Sequence, residues 1–150
     1  MTVRCMVYGR VFVNYWTGVL TSGDVTRTYL EAKAASVRRG ALAGIGILGA
    51  DLQRPGIEVV KKMHAEHVEM RKHHDSIHLV PLMQSPFLLS SIRSLVTLGF
   101  YTGTGGKLFY HDSVREALIK AEEYGPLQMS ANDILGQLDH EKIPVGKPKT

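Results

Sequence analysis

The order of strand-like and helix-like segments constrains the fold of this chain more than any other feature. Two short runs rich in Val, Tyr, Phe and Trp come first, Val3–Tyr8 and Val11–Trp16, and Gly9-Arg10 between them predicts an antiparallel hairpin. Helix-like and strand-like segments then alternate, and strands joined through helices of this length must mostly be parallel. We therefore predict an α/β fold with a mixed β-sheet, an N-terminal hairpin followed by β-α repeats, covered by helices.

Turn and cap residues mark the boundaries of these segments. Thr21, with Asp24 three residues later, is suited to begin a helix that Gly40 ends. Residues 42–48 are almost wholly apolar, which is typical of a parallel strand covered on both faces. The remaining predicted segments are helices at 55–74, 87–101, 114–123 and 131–138, and strands at 77–83 and 107–110.

The chain divides at Gly125-Pro126, which breaks the helix before it. Residues 1–124 hold all of the predicted strands, so we assign them to one α/β domain. Residues 125–150 form a C-terminal extension in this interpretation. The extension has a short helix at 131–138 and a disordered tail, rich in Pro, Gly and Lys, from Ile143 onward.

Composition and charge exclude several classes of function. A net charge of +4 without a concentrated basic stripe argues against nucleic-acid binding. Cys5 is the only cysteine, which excludes an intrachain disulfide and a zinc site built on several cysteines. No apolar stretch approaches the roughly 20 residues of a membrane helix, and the N-terminus lacks the pattern of a signal peptide. We therefore expect a cytoplasmic protein without membrane contact and without a cofactor.

Two local patterns support the element order. Residues 11–21 combine a strand, Gly18 and the Thr-capped start of a helix, and Phe109-Tyr110 precedes a helix over 113–121. With the element order over residues 2–124, these patterns resemble the STAS-like domains of bacterial anti-sigma-factor antagonists, the SpoIIAA-like group. The resemblance implies a sandwich fold and a non-enzymatic, regulatory module that binds a partner protein.

One feature of that family is missing from this sequence. In the antagonist members, a serine at the start of the helix after the third strand is phosphorylated to switch binding. The matching segment here, residues 49–56, contains Asp51 but neither Ser nor Thr. The phosphorylation switch therefore does not carry over, and regulated binding would need another signal.

Sequence motifs for catalysis fail on inspection. Residues 103–107 read Gly-Thr-Gly-Gly-Lys, but the first Gly of a phosphate loop and its final Ser or Thr are missing, and the segment precedes a strand. Ser90, Ser91 and Ser94 lie on a predicted helix without the Gly-x-Ser-x-Gly elbow. We therefore expect no enzymatic activity.

The helix predicted at 87–101 is unusually apolar. Its outlying apolar positions would be exposed unless residues 131–138 cover them, and an exposed apolar patch usually marks a partner or dimer surface. We predict that the chain binds a partner protein or a second copy of itself. The residues assigned to this surface, on the helix and on the loop at 49–56, are Asp51, Arg54, Phe87, Leu98 and Phe100.

A small-molecule or anion site is the first alternative to protein binding. Ligands of parallel sheets bind outside the carboxyl ends of the strands, which places such a site near Asp51, Arg54, Gln84 and Ser85.

A histidine-based metal site is the second alternative. His64 and His67 are three residues apart, and both project onto the apolar side of the predicted helix or its rim. That spacing can present two imidazoles to one metal, but further ligands would have to come from elsewhere, such as Asp51 or His78. We interpret the pair as ordinary core or rim histidines without a bound metal, and a pH-sensitive contact is the remaining interpretation.

Overall fold

The structure, a computed structural model, describes residues 3–101 and 107–146. Within these ranges the side chains of His67, Ile92 and residues 95–101 are not described. The strands are β1 (Val3–Tyr8), β2 (Val11–Trp16), β3 (Leu42–Leu48), β4 (His74–Pro81) and β5 (Leu108–Tyr110). The helices are α1 (Ser22–Arg39), α2 (Ile57–Met70), α3 (Pro86–Tyr101), α4 (Val114–Glu122) and α5 (Ala131–His140), and a 3-10 turn at Arg71–His73 follows α2.

The strands form one sheet in the order β1-β2-β3-β4-β5. β1 and β2 pair as an antiparallel hairpin, with Tyr8 opposite Val11, and the other neighbouring strands are parallel. Gly9 takes a positive φ of 59° in the hairpin turn, a conformation that glycine adopts without a steric penalty. These observations confirm the predicted α/β fold with a mixed sheet.

Local signals fix the first helix as predicted. The Thr21 side chain accepts a hydrogen bond from the Asp24 amide at 3.1 Å, and the Asp24 carboxylate accepts one from the Thr21 amide at 2.9 Å. This reciprocal pair satisfies two of the amides that a helix N-terminus leaves unpaired. Gly40 ends the helix with φ at 82°.

Side chains alternate along every strand, so both faces of the sheet carry apolar side chains. Helices cover both faces and bury these side chains. On the first face, Phe12 packs with α1, and Leu48, Ile77 and Leu79 pack in a cluster with α1, α2 and α3. On the second face, Val13, Ile45 and neighbouring residues pack against α4 and α5. The order of the sheet explains this division. Successive crossovers of one hand that step in one direction place α1, α2 and α3 on the same face.

The C-terminal segment is part of the core on the second face. Ile134 and Leu138 of α5 have no exposed area, and Ile143 is 3% exposed. The Val145 carbonyl accepts a hydrogen bond from the Val114 amide at 2.8 Å, and Gly146 pairs with Ser113. The segment that the sequence separates as an extension therefore packs on the sheet as far as Gly146, and residues 147–150 lie outside the described residues.

Candidate functional site

The middle of β3 presents no side chains to the first face of the sheet. Alternation along β3 directs Ala43, Ile45 and Ile47 to the second face, so Gly44 and Gly46 are what β3 presents to the first. We call these two residues the glycine strip. Neighbouring strands supply walls on both sides of it, because Asn14 of β2 and Leu79 of β4 are both paired with Gly46. The strip is therefore the floor of a trough in the sheet.

A cavity of about 90 Å³ lies over the glycine strip, beneath α1 and α2. Its walls are mostly apolar side chains from the sheet, from α1 and α2, and from the loop between β3 and α2. Examples are Val25, Leu48, Leu52, Met63, Ile77 and Leu79. A dry engineered cavity of roughly 150 Å³ binds benzene, whereas a single water needs only about 10–15 Å³. The cavity therefore exceeds the space of a few waters but is smaller than the cavity that binds benzene, so a small aromatic molecule enters it only when the walls move outward.

The described side chains that line this cavity do not include a charged group. None of its lining residues, as far as the structure describes them, is Asp, Glu, Lys or Arg. Moving an ionised group from water into such surroundings costs several kcal/mol or more without a partner charge. The cavity therefore favours uncharged molecules over anions and cations.

Most polar groups in the lining are already bonded within the protein. The Trp16 indole N–H donates to the Asn14 side-chain oxygen, and the Thr28 hydroxyl donates to the Asp24 carbonyl at 2.8 Å. Asn14 is 8% exposed and Thr28 is 2% exposed. These bonds orient the side chains and leave a largely apolar inner surface.

His74 is the exception, and an irregularity of the backbone directs it into the cavity. Leu42 pairs with His74, but the next residue of β3, Ala43, pairs with Ser76, so Asp75 is an extra residue in β4. A bulge of this kind reverses which face the following side chains occupy. His74 therefore shares the first face with Leu42 and Ile77, where a regular strand would have placed it on the second.

An ion pair fixes the bulge. Asp75 accepts a hydrogen bond from Arg10 at 2.5 Å, and the Arg10 guanidinium also donates to the carbonyls of Ala41 (2.8 Å) and Pro126 (2.7 Å). Gly125 leaves room for this arrangement, since a Cβ atom there would lie 2.7 Å from Arg10 Nη1. The other Asp75 oxygen, Oδ1, is buried without a partner among the described residues.

The proton of His74 has a defined place on the ring. Nδ1 lies 2.8 Å from the Met70 carbonyl oxygen, which can only accept, so Nδ1 carries the hydrogen. Burial lowers the pKa of His74 below its usual value, so the ring is neutral at pH 7. Nε2 is then a hydrogen-bond acceptor. It lies beside the glycine strip, 3.1 Å from where a Cβ atom on Gly44 would be.

The loop and helix residues assigned from sequence lie around this cavity rather than in it. Asp51, Arg54, Gln84 and Ser85 are exposed, and none of them lines the cavity. Leu52 and Pro55, from the same loop as Asp51 and Arg54, do line it. The loop therefore borders the cavity through its apolar residues, whereas the sequence prediction chose its charged residues, because charges are the usual signal of a site.

The predicted partner surface is described only in part. Phe87 is 76% exposed in the first turn of α3, and Ile57 is 71% exposed in the first turn of α2. Both turns follow the carboxyl ends of parallel strands, so the two side chains lie at the same edge of the sheet. The side chains of Leu98 and Phe100 lie outside the described residues.

His64 was expected on the apolar side of its helix or at the rim of that side, and the structure does not bury it. His64 is exposed, and α2 instead buries or half-buries Val59, Met63, Glu66 and Met70. The physical reason is that the apolar side of the helix is not its buried side, since the apolar residues Ile57 and Val68 are themselves exposed (71% and 41%). The His67 side chain lies outside the described residues.

Metal ligands do not cluster in the part of the chain that the structure describes. Among those residues, no group of three or more His, Cys, Asp or Glu side chains could hold a metal ion. The Cys5 thiol also stays protonated at neutral pH, because burial and the nearby Glu31 raise its pKa to about 12.

A second histidine site is buried on the second face; the sequence named His78 only as a possible metal ligand and did not predict its pairing with His111. His78 has no exposed area, and its ring nitrogens lie 2.9 Å from His111 Nε2 and 2.9 Å from the Ser76 hydroxyl oxygen. Burial, with additional repulsion from His111 and Lys120, lowers the pKa of His78 to about 3. A neutral His78 bonded on both sides is a structural link between β4 and the segment after β5. The alternation of Ser76 and His78 along β4 is the only sequence signal for it.

Comparison with known proteins gives no assignment, since no family model, no curated protein and no solved structure matches this chain. The resemblance to STAS-like domains therefore stays a prediction. Among the described residues, no helix is both long enough and apolar enough to cross a membrane.

Proposed function

We propose that this chain is a non-enzymatic domain that binds a small, uncharged and mainly apolar molecule in the cavity over Gly44 and Gly46. The observation that carries the proposal is the cavity itself, at an interface where sheet and helices normally touch. Protein interiors are packed as densely as organic crystals. At about 24 cal/mol per Å³, an unfilled cavity of this size costs about 2 kcal/mol of stability. A ligand would recover part of that energy.

The lining supports binding rather than chemistry. The described residues around the cavity include no carboxylate, amine or thiol, and the Thr28 hydroxyl is engaged with a backbone carbonyl. A largely apolar pocket with a few placed polar groups is the usual form of a small-molecule site.

Trp16 provides a direct test, because it is the only tryptophan of the chain and lines the cavity. Toluene, titrated into the protein, should change the Trp16 fluorescence saturably, and the thermal midpoint should rise with toluene concentration. Benzoate and benzylamine, which are charged at pH 7, should do neither at the same concentrations. The proposal fails if toluene gives no saturable change, or if the charged compounds act equally well.

Protein binding through the carboxyl edge of the sheet is a second candidate, as the resemblance to STAS-like domains implies. Its support is the exposure of Phe87 and Ile57 at that edge. If two copies associate there, light scattering should detect a dimer that Phe87→Ser weakens. The matched control is Val37→Ser. Val37 is 80% exposed, but it lies near the C-terminal end of α1, at the opposite edge of the sheet from Phe87 and Ile57. A monomer at every concentration would remove self-association from consideration.

A further inference from the structure

We propose that the ligand is a flat aromatic molecule with a hydroxyl or N–H group, its ring on the glycine strip and its donor hydrogen on His74 Nε2. This inference rests on the proposed function and adds to it the chemical class and the orientation of the ligand.

The shape of the floor favours a flat molecule. Asn14 and Leu79 close in from the two sides: a Cβ atom on Gly46 would lie 3.1 Å from Asn14 Oδ1 and 2.8 Å from Leu79 Cδ2. Glycine within a strand often marks a place where a ligand approaches the backbone closely. A planar ring can lie against two glycine residues, whereas a bulky branched group would contact both walls.

The length of the strip suits a ring with one substituent. Residues two apart in a strand are separated by about 6.6 Å. His74 Nε2 lies beside Gly44, and the Asn14 and Trp16 side chains lie beside Gly46. A ring over the strip therefore places one substituent next to His74 and its far edge next to Trp16.

The polar groups select the substituent. The neutral His74 ring offers Nε2 as an acceptor, and no hydrogen bond to Nε2 occurs among the described residues. The Asn14 side-chain oxygen, the Trp16 indole N–H and the Thr28 hydroxyl are bonded to one another or to the backbone. An acceptor that faces an apolar cavity without a partner is costly, so a ligand that donates a hydrogen bond gains affinity. A ligand that only accepts gains no hydrogen bond from His74.

Three molecules of similar size separate these cases. Phenol donates a hydrogen bond, anisole only accepts one, and toluene does neither. One hydrogen bond contributes about 0.5–1.5 kcal/mol, which corresponds to about two- to tenfold in affinity. Titration calorimetry should therefore show phenol binding more tightly than toluene by a factor in that range. Anisole should bind no more tightly than toluene.

Two variants locate the effect. In His74→Leu the preference for phenol over toluene should disappear while toluene still binds. In the control variant His73→Leu the preference should remain, because the His73 ring bonds Ser36 and lies near Tyr29, away from the lining. If His74→Leu does not fold, nitrogen NMR of the wild type replaces it. The His74 Nε2 resonance should then move with phenol and not with toluene.

The outcomes are distinguishable. Equal binding of phenol and toluene, or a preference that survives in His74→Leu, overturns the inference about the donor and leaves the proposed function standing. If none of the three molecules binds, both fail.

Discussion

Adding one methyl group to the floor of the cavity should separate ligand binding from stability. In Gly46→Ala the new Cβ atom would lie 2.8 Å from Leu79 Cδ2 and 3.1 Å from Asn14 Oδ1. Gly46 is not among the residues with a positive φ, so alanine fits its backbone. The contact with Leu79 involves the end of a side chain, which can turn toward the free space of the cavity.

The expected change in stability is small because opposing terms nearly cancel. Replacing glycine by alanine within a strand gains about 0.5–1 kcal/mol, and burying one methyl gains about 0.8 kcal/mol. Crowding of a packed interior costs about 1–3 kcal/mol. The free energy of unfolding should therefore change by no more than about 2 kcal/mol, whereas the affinity for phenol should fall at least tenfold.

Urea denaturation and titration calorimetry on the same preparations test this prediction. The matched control is Gly136→Ala in α5, where a Cβ atom would meet nothing within 4 Å. That variant should gain about 0.5–1 kcal/mol of stability and bind phenol as the wild type does. Unchanged phenol affinity in Gly46→Ala would show that ligands bind elsewhere. A loss of stability above about 3 kcal/mol would show that the space over Gly46 is already filled.

Three further predictions concern the framework around the site. The folded-state pKa of His78 is about 3, below its unfolded value, so its contribution to stability should be constant well above pH 6.5 and fall by up to about 1.4 kcal/mol per pH unit below it, in addition to the fall from His74, whose pKa burial also lowers. Urea midpoints from pH 7 to pH 5 should show a shallower fall in His78→Phe, but not in the control His140→Gln; an equal fall in both would refute the assignment. Leu138→Ala should lower the free energy of unfolding by about 2–5 kcal/mol, because Leu138 has no exposed area; a loss below 1 kcal/mol would mean that α5 is not part of the core. Thr21→Ala should cost about 1 kcal/mol in the same assay, and no loss would contradict the capping bonds seen at this helix.

Local chemistry made much of this fold predictable. Thr21, Ser113 and Ser130 each cap the helix that follows, through a bond to the amide three residues on. Such signals depend on four neighbouring residues and need no knowledge of the tertiary structure.

The cavity was not predictable in the same way. Residues 42–48 read correctly as a strand buried on both faces, and the alternation of Gly44 and Gly46 was visible in the sequence. Whether two alternating glycines form the floor of a cavity depends on the side chains of the neighbouring strands. Identifying those side chains requires knowing that Gly46 pairs with Asn14 and Leu79. Long-range register is not encoded in any short segment.

The bulge in β4 shows a second limit. Asp75-Ser76 reads as a turn, so the strand was predicted to begin at Ile77, whereas β4 begins at His74. Asp75 is accommodated in the strand by Arg10, which lies 65 residues earlier in the chain. A polar pair inside a strand is stable only when such a partner is present, and its presence cannot be read from the strand itself.

A crystal structure with 4-bromophenol tests the central claim most directly, because bromine is located by its anomalous scattering. We expect one strong bromine peak inside the cavity, near Gly46 and Trp16, with the hydroxyl oxygen within hydrogen-bond distance of His74 Nε2. A cavity filled by protein side chains, or bromine peaks confined to the outer surface, would contradict the account.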